Sequence, residues 1–573
     1  TSKAETITVL LSTETEPDGE IIALYETEDN SGFFMGKVSL KNESVFRGDG
    51  ILQAVQGDRI TAIYVDPEDE FGEEQTLRTT SNVTGSIALT NAAGVEQLNF
   101  PADSTLYIRV TDSDRNTNSG TAETITVSAS SETETTAETV TLTETGVNTG
   151  IFMGSITFAV AAASSGDGVL QVTRGDKLTG SYTDPADDYG NETTVTDVAF
   201  YAVTLTTGSL SSSTTWTAAN SPYLVTGDVT IGNNITLTIE AGVEVRFLKV
   251  SDDQSSGQDV NRSELRIEGG SLIAEGTVSD SIVFVSNAES PDENDWYGFY
   301  ASGNVNVIHL RYVSFRHASY VISTGSSMNS IQFYGNQSDS LRITNSFFRD
   351  IGSHVFYGRL YSYQDARMII KNNKFSDFST FLYGATVYAN GLLDIDGNEF
   401  IGNHGQLSND NLSAGDAESK IRFTNNQSSV NSYIRFSASG ANATEYQVII
   451  EDNQLSDAGT WSSISLYGNG ATQGRFLVKD NTFDSIGVSI SYAAKALIQG
   501  NTIKNVQSSG YARPSSSTLE IQNTHAVVEN NTIKDNRGYG IKVYASFDYQ
   551  GVKDTIHYNT ITGNNINNSS SNG

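Results

Sequence analysis

The chain has 573 residues, of which 37% are hydrophobic and 18% charged, and a net charge of −34 from 68 acidic and 34 basic residues. So acidic a surface repels phosphates, which argues against nucleic-acid binding and against docking on anionic lipid. With no cysteine, disulfides, thiol catalysis and thiolate metal sites are excluded, and no stretch approaches the ~18 apolar residues of a membrane span.

The 51 glycines against 7 prolines, with abundant Thr, Ser and Asn, suit strands joined by glycine turns. The sequence opens Thr1-Ser2-Lys3, without Met or a signal peptide, and is expected to be a mature or trimmed form of an exported protein.

The first 206 residues repeat. Ala4-Glu5-Thr6-Ile7-Thr8-Val9 recurs as Ala122-Glu123-Thr124-Ile125-Thr126-Val127, an offset of 118. Gly32-Phe33-Phe34-Met35-Gly36 recurs as Gly150-Ile151-Phe152-Met153-Gly154, Gly48-Asp49-Gly50 as Gly166-Asp167-Gly168, and Tyr64-Val65-Asp66-Pro67 as Tyr182-Thr183-Asp184-Pro185, all without a gap. Ile125, Val127, Val140 and Leu142 alternate with polar residues, and Asn148-Thr149-Gly150 and Gly166-Asp167-Gly168 are turn chemistry. This predicts two immunoglobulin-like β-sandwich domains, residues 1–103 and 104–206. The second opens with the strand Leu106-Tyr107-Ile108-Arg109-Val110, whose counterpart would precede residue 1. The first repeat is therefore expected to lack its first strand and to present an unpaired edge.

A candidate cation loop follows that strand. Asp112, Asp114, Asn116 and Asn118 place oxygens at alternate positions, as a calcium loop does, although no glutamate follows at the usual distance. Calcium is the expected ligand, and an Asx-rich turn is the structural alternative. Asp184, Asp187 and Asp188, echoed by Asp66, Asp69 and Glu70, form a second acidic turn.

From about residue 207 the pattern changes. After the strand-rich run Leu237-Thr238-Ile239-Glu240-Ala241-Gly242-Val243, an apolar-Asn motif recurs at Asn345, Asn373, Asn398, Asn426, Asn453, Asn481, Asn501, Asn531 and Asn559. The spacings are 28, 25, 28, 27, 28, 20, 30 and 28. Coils of that size, each with an Asn turn between apolar residues, predict a parallel β-helix over 207–573 whose asparagines stack ~4.8 Å apart in one hydrogen-bonded ladder. The open run Gly563-Asn564-Asn565-Ile566-Asn567-Asn568 brings no apolar cap, which solenoid ends normally have.

Residues 207–563 resemble the right-handed parallel β-helix proteins of the pectate-lyase-like type, on the strength of the Asn motif. Residues 1–206 resemble the immunoglobulin-like repeats of large prokaryotic surface proteins, through Thr111 to Gly120, Glu144 to Gly150 and Tyr182 to Asp188. The resemblance implies a secreted or cell-surface setting among surface-layer components, adhesins and filament subunits. It also raises polysaccharide lyases and hydrolases, which need clustered carboxylates or a basic residue in a groove.

Candidates for such chemistry are few. Asp350, Asp377, Asp457, Asp484 and Asp535 follow their coil's Asn by three to five residues, and Asn403, Asn505 and Asn564 take the same place elsewhere. A residue that recurs coil after coil is a turn element. His354, Arg359, Asp365 and Arg367 lie in the longest polar excursion of the middle coils. Tyr357, Tyr383, Tyr467, Tyr492 and Tyr544 could stack on sugar rings, or simply on one another as a cross-coil ladder. No nucleophile elbow, phosphate loop or zinc motif is visible.

The expectation is an all-β extracellular structural protein without enzymatic activity, self-assembling head-to-tail into a surface layer or filament. An adhesin binding surface glycans through the β-helix face is the alternative, and a polysaccharide lyase or hydrolase the second.

Overall fold

The computed structural model describes residues 5–29, 31–55, 58–68, 73–188, 190–334, 339–402, 405–408, 411–440, 442–456, 462–470, 473–506, 517–544 and 554–564. Within them the chain is all-β, with two single-turn 3-10 helices, Ser113–Arg115 and Ala218–Asn220, and no α-helix. It divides into two compact units between Val203 and Thr204.

The first unit holds both 118-residue repeats. The first contributes β1 (Thr6–Ser12), β2 (Glu20–Glu26), β3 (Phe34–Met35), β4 (Ser39–Lys41), β5 (Ile51–Gln53), β6 (Thr61–Asp66) and β7 (Gln75–Thr80). They form an antiparallel sheet in the order β3-β2-β1-β6-β7, and β4 pairs with β5. The second repeat contributes β8 (Ser86–Thr90), β9 (Asn99–Phe100), β10 (Thr105–Thr111), β11 (Thr124–Ser131), β12 (Glu138–Glu144), β13 (Ile151–Ala159), β14 (Val169–Gln171), β15 (Lys177–Asp184) and β16 (Thr193–Tyr201). Their order is β8-β10-β13-β12-β11-β15-β16-β9, with β14 on β13.

β11, β12, β14, β15 and β16 sit 118 residues after β1, β2, β5, β6 and β7. Although β8 and β9 precede residue 104, both pair into the second repeat's sheet. Alternation puts Ile125, Val127, Val140, Leu142 and Phe152 on one face, where they form a single buried core with Leu89, Leu106, Ile108 and Val110.

The second unit is built of three parallel ladders, one per face of each coil. One coil shows the plan: Lys374–Ser376, Thr380–Val387, then Leu392–Asp396, before the next turn begins. Each strand pairs with its counterpart one coil on, as Phe375 with Phe400 and Leu393 with Ile421. Side chains facing inward therefore stack in columns. The rings of Phe315, Phe348, Phe375 and Phe400 follow one another at 5.9, 5.0 and 5.3 Å, close to the spacing of paired strands. One continuous apolar core runs from Trp216 to Ile533. This is a parallel β-helix.

Candidate functional site

The asparagines are the most repeated polar groups of the β-helix, and geometry gives them one job. Asn373 donates both its backbone N–H and its side-chain Nδ2 to Oδ1 of Asn398, each at 3.0 Å, and Nδ2 also donates to the Ile343 carbonyl at 2.8 Å. The pattern passes through Asn426, Asn453, Asn481 and Asn501 to Asn531 and Asn559. Buried amides demand such partners, and here every coil supplies those of its neighbour.

The ladder starts one coil later than the sequence predicts. Asn345 is not a member: it holds φ +52°, as do the residues just before the ladder, among them Asn372 (+56°), Asn425 (+55°) and Asn530 (+59°). Its neighbour Ser346 takes the ladder place and donates its N–H to Asn373 Oδ1 at 2.9 Å. Asparagine is favoured both at a left-handed turn residue and at a buried amide, so in adjacent positions the motif reads one residue out of phase.

Three of the carboxylates set aside as turn elements occupy turns. Asp350, Asp377 and Asp535 lie at φ +53° to +59°, and Asn505 shares that conformation at +58°. Asp484 ends the strand Thr482–Asp484, paired with Lys504 at 3.0 Å and accepting from Asn505 Nδ2 at 2.8 Å. Asn564 instead belongs to a short second ladder, its Oδ1 accepting from Asn536 Nδ2 at 2.7 Å as Asn536 Oδ1 accepts from Val506 N–H at 2.9 Å. Asn403, Asp457, Asp69 and Glu70 lie outside the described residues.

His354, Arg359, Asp365 and Arg367 do not converge. His354 begins and Arg359 continues the strand His354–Tyr363, Asp365 sits in the left-handed turn after it, and Arg367 opens the next strand. His354 accepts or donates at Nδ1 with the Ser353 hydroxyl at 2.8 Å and lies against Tyr357 and Tyr383. Burial pushes its pKa down to about 4, so it is neutral at pH 7.

The tyrosines stack mainly on one another. Tyr357 stacks on Tyr320 at 5.2 Å and meets Tyr383 edge-on at 6.3 Å; Tyr467 and Tyr492 are 5.5 Å apart. A row missed in the sequence, Tyr334, Tyr363 and Tyr388, is stacked at 5.0 and 5.3 Å. Rings stacked at that spacing leave no room for a sugar between them. Tyr544 meets Lys542, whose Nζ lies 4.7 Å above its ring.

At the candidate cation loop the acids accept protein hydrogen bonds. Buried Asp112 caps the turn Ser113–Arg115 through Asp114 N–H at 2.9 Å, and takes the Tyr182 hydroxyl on its other oxygen at 2.5 Å. Asp114, Asp188 and Asp184 accept the successive N–H groups of Val83, Thr84 and Gly85 at 2.8, 2.7 and 2.7 Å. Asn116 donates to Asn148, and Asn118 accepts from Gly120 N–H within its own turn. Burial and then Asp184 raise the Asp112 carboxyl above the usual range; burial, Asp184 and Asp188 do the same to Asp114. Asp112 and Asp114 therefore meet at the joint between the repeats with Asp184, while Asn116 and Asn118 turn to other partners. Among the described residues no three His, Asp or Glu side chains are grouped to hold a metal.

One carboxylate pair escaped sequence reasoning. Glu264 and Asp228, on neighbouring strands, are 0% and 1% exposed. Glu264 accepts the N–H groups of Gln258 and Asp259 at 2.6 and 2.9 Å and Arg266 Nη1 at 2.6 Å, while Asp228 takes the Ser256 hydroxyl and Glu264 N–H at 3.0 and 2.9 Å. Burial and then Asp228 push Glu264 up to about 7. The pair is non-repeating, as a catalytic pair would be, but it is sealed from solvent and fastens the 256–259 loop to the coil.

Two family models match this unit. Residues 419–573 match the right-handed β-helix region and residues 208–311 the pectate-lyase-like β-helix domain. None of the curated proteins compared with the chain is similar to it.

Proposed function

We propose that the chain is an extracellular structural protein of a prokaryotic cell surface, which associates with copies of itself head-to-tail and has no enzymatic activity. The β-helix families it matches are compatible with surface or carbohydrate-related proteins. One observation carries the reading: the polar residues that recur coil after coil are structural rungs, as in the unbroken line from Asn373 to Asn559. A buried pair that does not recur, Asp228 with Glu264, is closed to substrate.

Light scattering and electron microscopy of the purified chain should show ordered oligomers. Incubation with pectins, alginates and other acidic glycans should give neither chain shortening nor unsaturated product. Reproducible cleavage that disappears on Asp365→Asn or Arg359→Gln would overturn the reading.

For the joint between the repeats we propose hydrogen bonding in place of calcium, because the oxygens of Asp112, Asp114, Asp184 and Asp188 already receive N–H and O–H groups. Melting in millimolar calcium and in chelator should coincide. A calcium-dependent rise that Asp114→Asn removes would restore the cation loop.

A further inference from the structure

The two repeats present the same apolar face to different surroundings. In the second, β10 lies antiparallel on β13 and sets Leu106 opposite Ile156, Ile108 opposite Gly154 and Val110 opposite Phe152. β8 pairs with β10 and adds Leu89, which reaches so close to Gly180 that a Cβ there would lie 2.7 Å from it. Under these strands Phe152 and Leu142 are 0% exposed and Val127 4%.

Subtracting 118 gives Phe34, Leu24 and Val9, and each is part-exposed. At the same parity as Phe34, Leu40 is 52% exposed, while Phe33 and Met35, at 76% and 70%, lie on the opposite face. The counterpart of the continuous strand β13 is broken into the short β3 and β4. Among the described residues no strand pairs with the outer edge of β3.

The slot is otherwise formed as in the second repeat. Gly154, which faces Ile108, is crowded by Thr141 and Leu142; Gly36 is crowded in the same way by Ala23 and Leu24. The same neighbours therefore demand glycine at this position in both repeats. Open strand edges beside an apolar face recruit further strands, with the backbone giving affinity and alternate side chains specificity.

We propose that this face is a docking site for a strand pair of the β8–β10 type, the linking segment of another repeat of this class. Its inner residues are Leu, Ile or Val at alternate positions, set opposite Phe34, Gly36 and Val38 as Val110, Ile108 and Leu106 are set opposite Phe152, Gly154 and Ile156. The site goes beyond the proposed surface role and rests on the first unit alone, so it stands or falls independently of it.

The test splices a second copy of residues 82–121 ahead of Ala4 in the full chain, so that Thr121 precedes Ala4 as it precedes Ala122. Amide exchange over residues 33–41 should slow at least tenfold, and binding of a hydrophobic dye should fall severalfold. The same splice carrying Ile108→Asp in the added copy should restore the parent's exchange and dye binding. Unchanged exchange in the unmutated splice would overturn the proposal. So would protection of 33–41 in the parent chain that grows with its own concentration, which would make a second copy of the whole chain the occupant.

Discussion

The first and second repeats share one polar frame and differ in how their apolar face is closed. Thr13 Oγ1 donates to the Gln53 carbonyl at 2.6 Å, and Ser131 Oγ to the Gln171 carbonyl at 2.6 Å. Glu16 accepts Gln53 N–H at 2.8 Å, and Glu134 accepts Gln171 N–H at 2.9 Å. Glu26 holds Gly32, and Glu144 holds Gly150, both at 2.8 Å. Glu20 clasps the loop at Gly48 and Gly50 as Glu138 clasps Gly166 and Gly168. Buried side-chain acceptors thus fix the loops from within each 118-residue period. Apolar closure of the second repeat needs β8 and β10, which precede its start at Ala122. The two contributions differ in size: a hydrogen bond nets about 1 kcal/mol, whereas one fully buried leucine contributes about 1.5–3 kcal/mol.

The largest effect should come from removing closure where it exists. Ile108→Asp puts an unpaired carboxylate among Leu89, Val127 and Phe152, and should cost about 4 kcal/mol or more. Amide exchange in β13 should then rise to the level of β3. A paired substitution sharpens the contrast. Leu142→Ala empties a packed site and should cost about 3 kcal/mol, while Leu24→Ala, at the open counterpart, should cost below about 1 kcal/mol. Equal losses in urea unfolding would break the comparison.

The β-helix closes by a third route, each coil covering the next, and there polar rungs lie inside the core. Asn453→Ala leaves the Asn426 N–H and Nδ2 without their acceptor and should cost about 3 kcal/mol. Asn345→Gly should be nearly neutral, because glycine accepts φ +52° without strain. A loss at Asn345 as large as at Asn453 would place it in the ladder after all.

What was legible in the sequence follows from these routes. The 118 register and the Asn periodicity are patterns of identity: the first corresponds to equivalent strands in the two repeats, the second to coil-to-coil pairing. The rung at Ser346 was hidden because Asn345 beside it satisfies a different rule for the same residue type. The glutamates at 16, 20 and 26 recur at 134, 138 and 144 and could have been found by extending the register; an acidic residue in an acidic chain does not announce its burial. β8 and β9, which pair into the second repeat's sheet from before residue 104, were not legible because strands of 5 and 2 residues carry too little alternation. Glu264 and Asp228 lie before the Asn repeats begin, where no periodicity marks an exception.

Glu264 gives a smaller effect, with a sign that differs from ordinary surface carboxylates. Its pKa rises from 4.5 unfolded to about 7 folded, driven by burial and Asp228, with Arg266 and the Gln258 and Asp259 N–H groups opposing. Asp228 is raised too, by burial and Asp252. The folded state therefore holds protons that the unfolded state releases between those values. This contribution is fully present below pH 4.5 and is lost as pH rises through about 7. Glu264→Gln should flatten the pH dependence of the second unit's melting over that window, by on the order of 2 kcal/mol. A parent that gains stability from pH 5 to 7 in this unit, with the variant unchanged, would reverse the sign.

A last, small effect should be the same in both repeats, and that equality is the closest check on a shared polar frame. Thr13 and Ser131 each use one hydroxyl twice: it donates to the glutamine carbonyl and accepts the N–H of Glu16 or Glu134, at 2.9 and 2.8 Å. Thr13→Val and Ser131→Ala delete the hydroxyl without opening a large cavity. Each leaves one buried N–H and one carbonyl short of a partner, for a loss of about 1 kcal/mol. Thr13 and Ser131 are 5% and 6% exposed, so water cannot replace the hydroxyl in one repeat and not the other. Amide exchange at Glu16 and Glu134 should therefore accelerate by the same factor, within twofold. A much smaller change at Glu16 would mean that the open apolar face had already loosened the loop, and that the polar frame depends on closure.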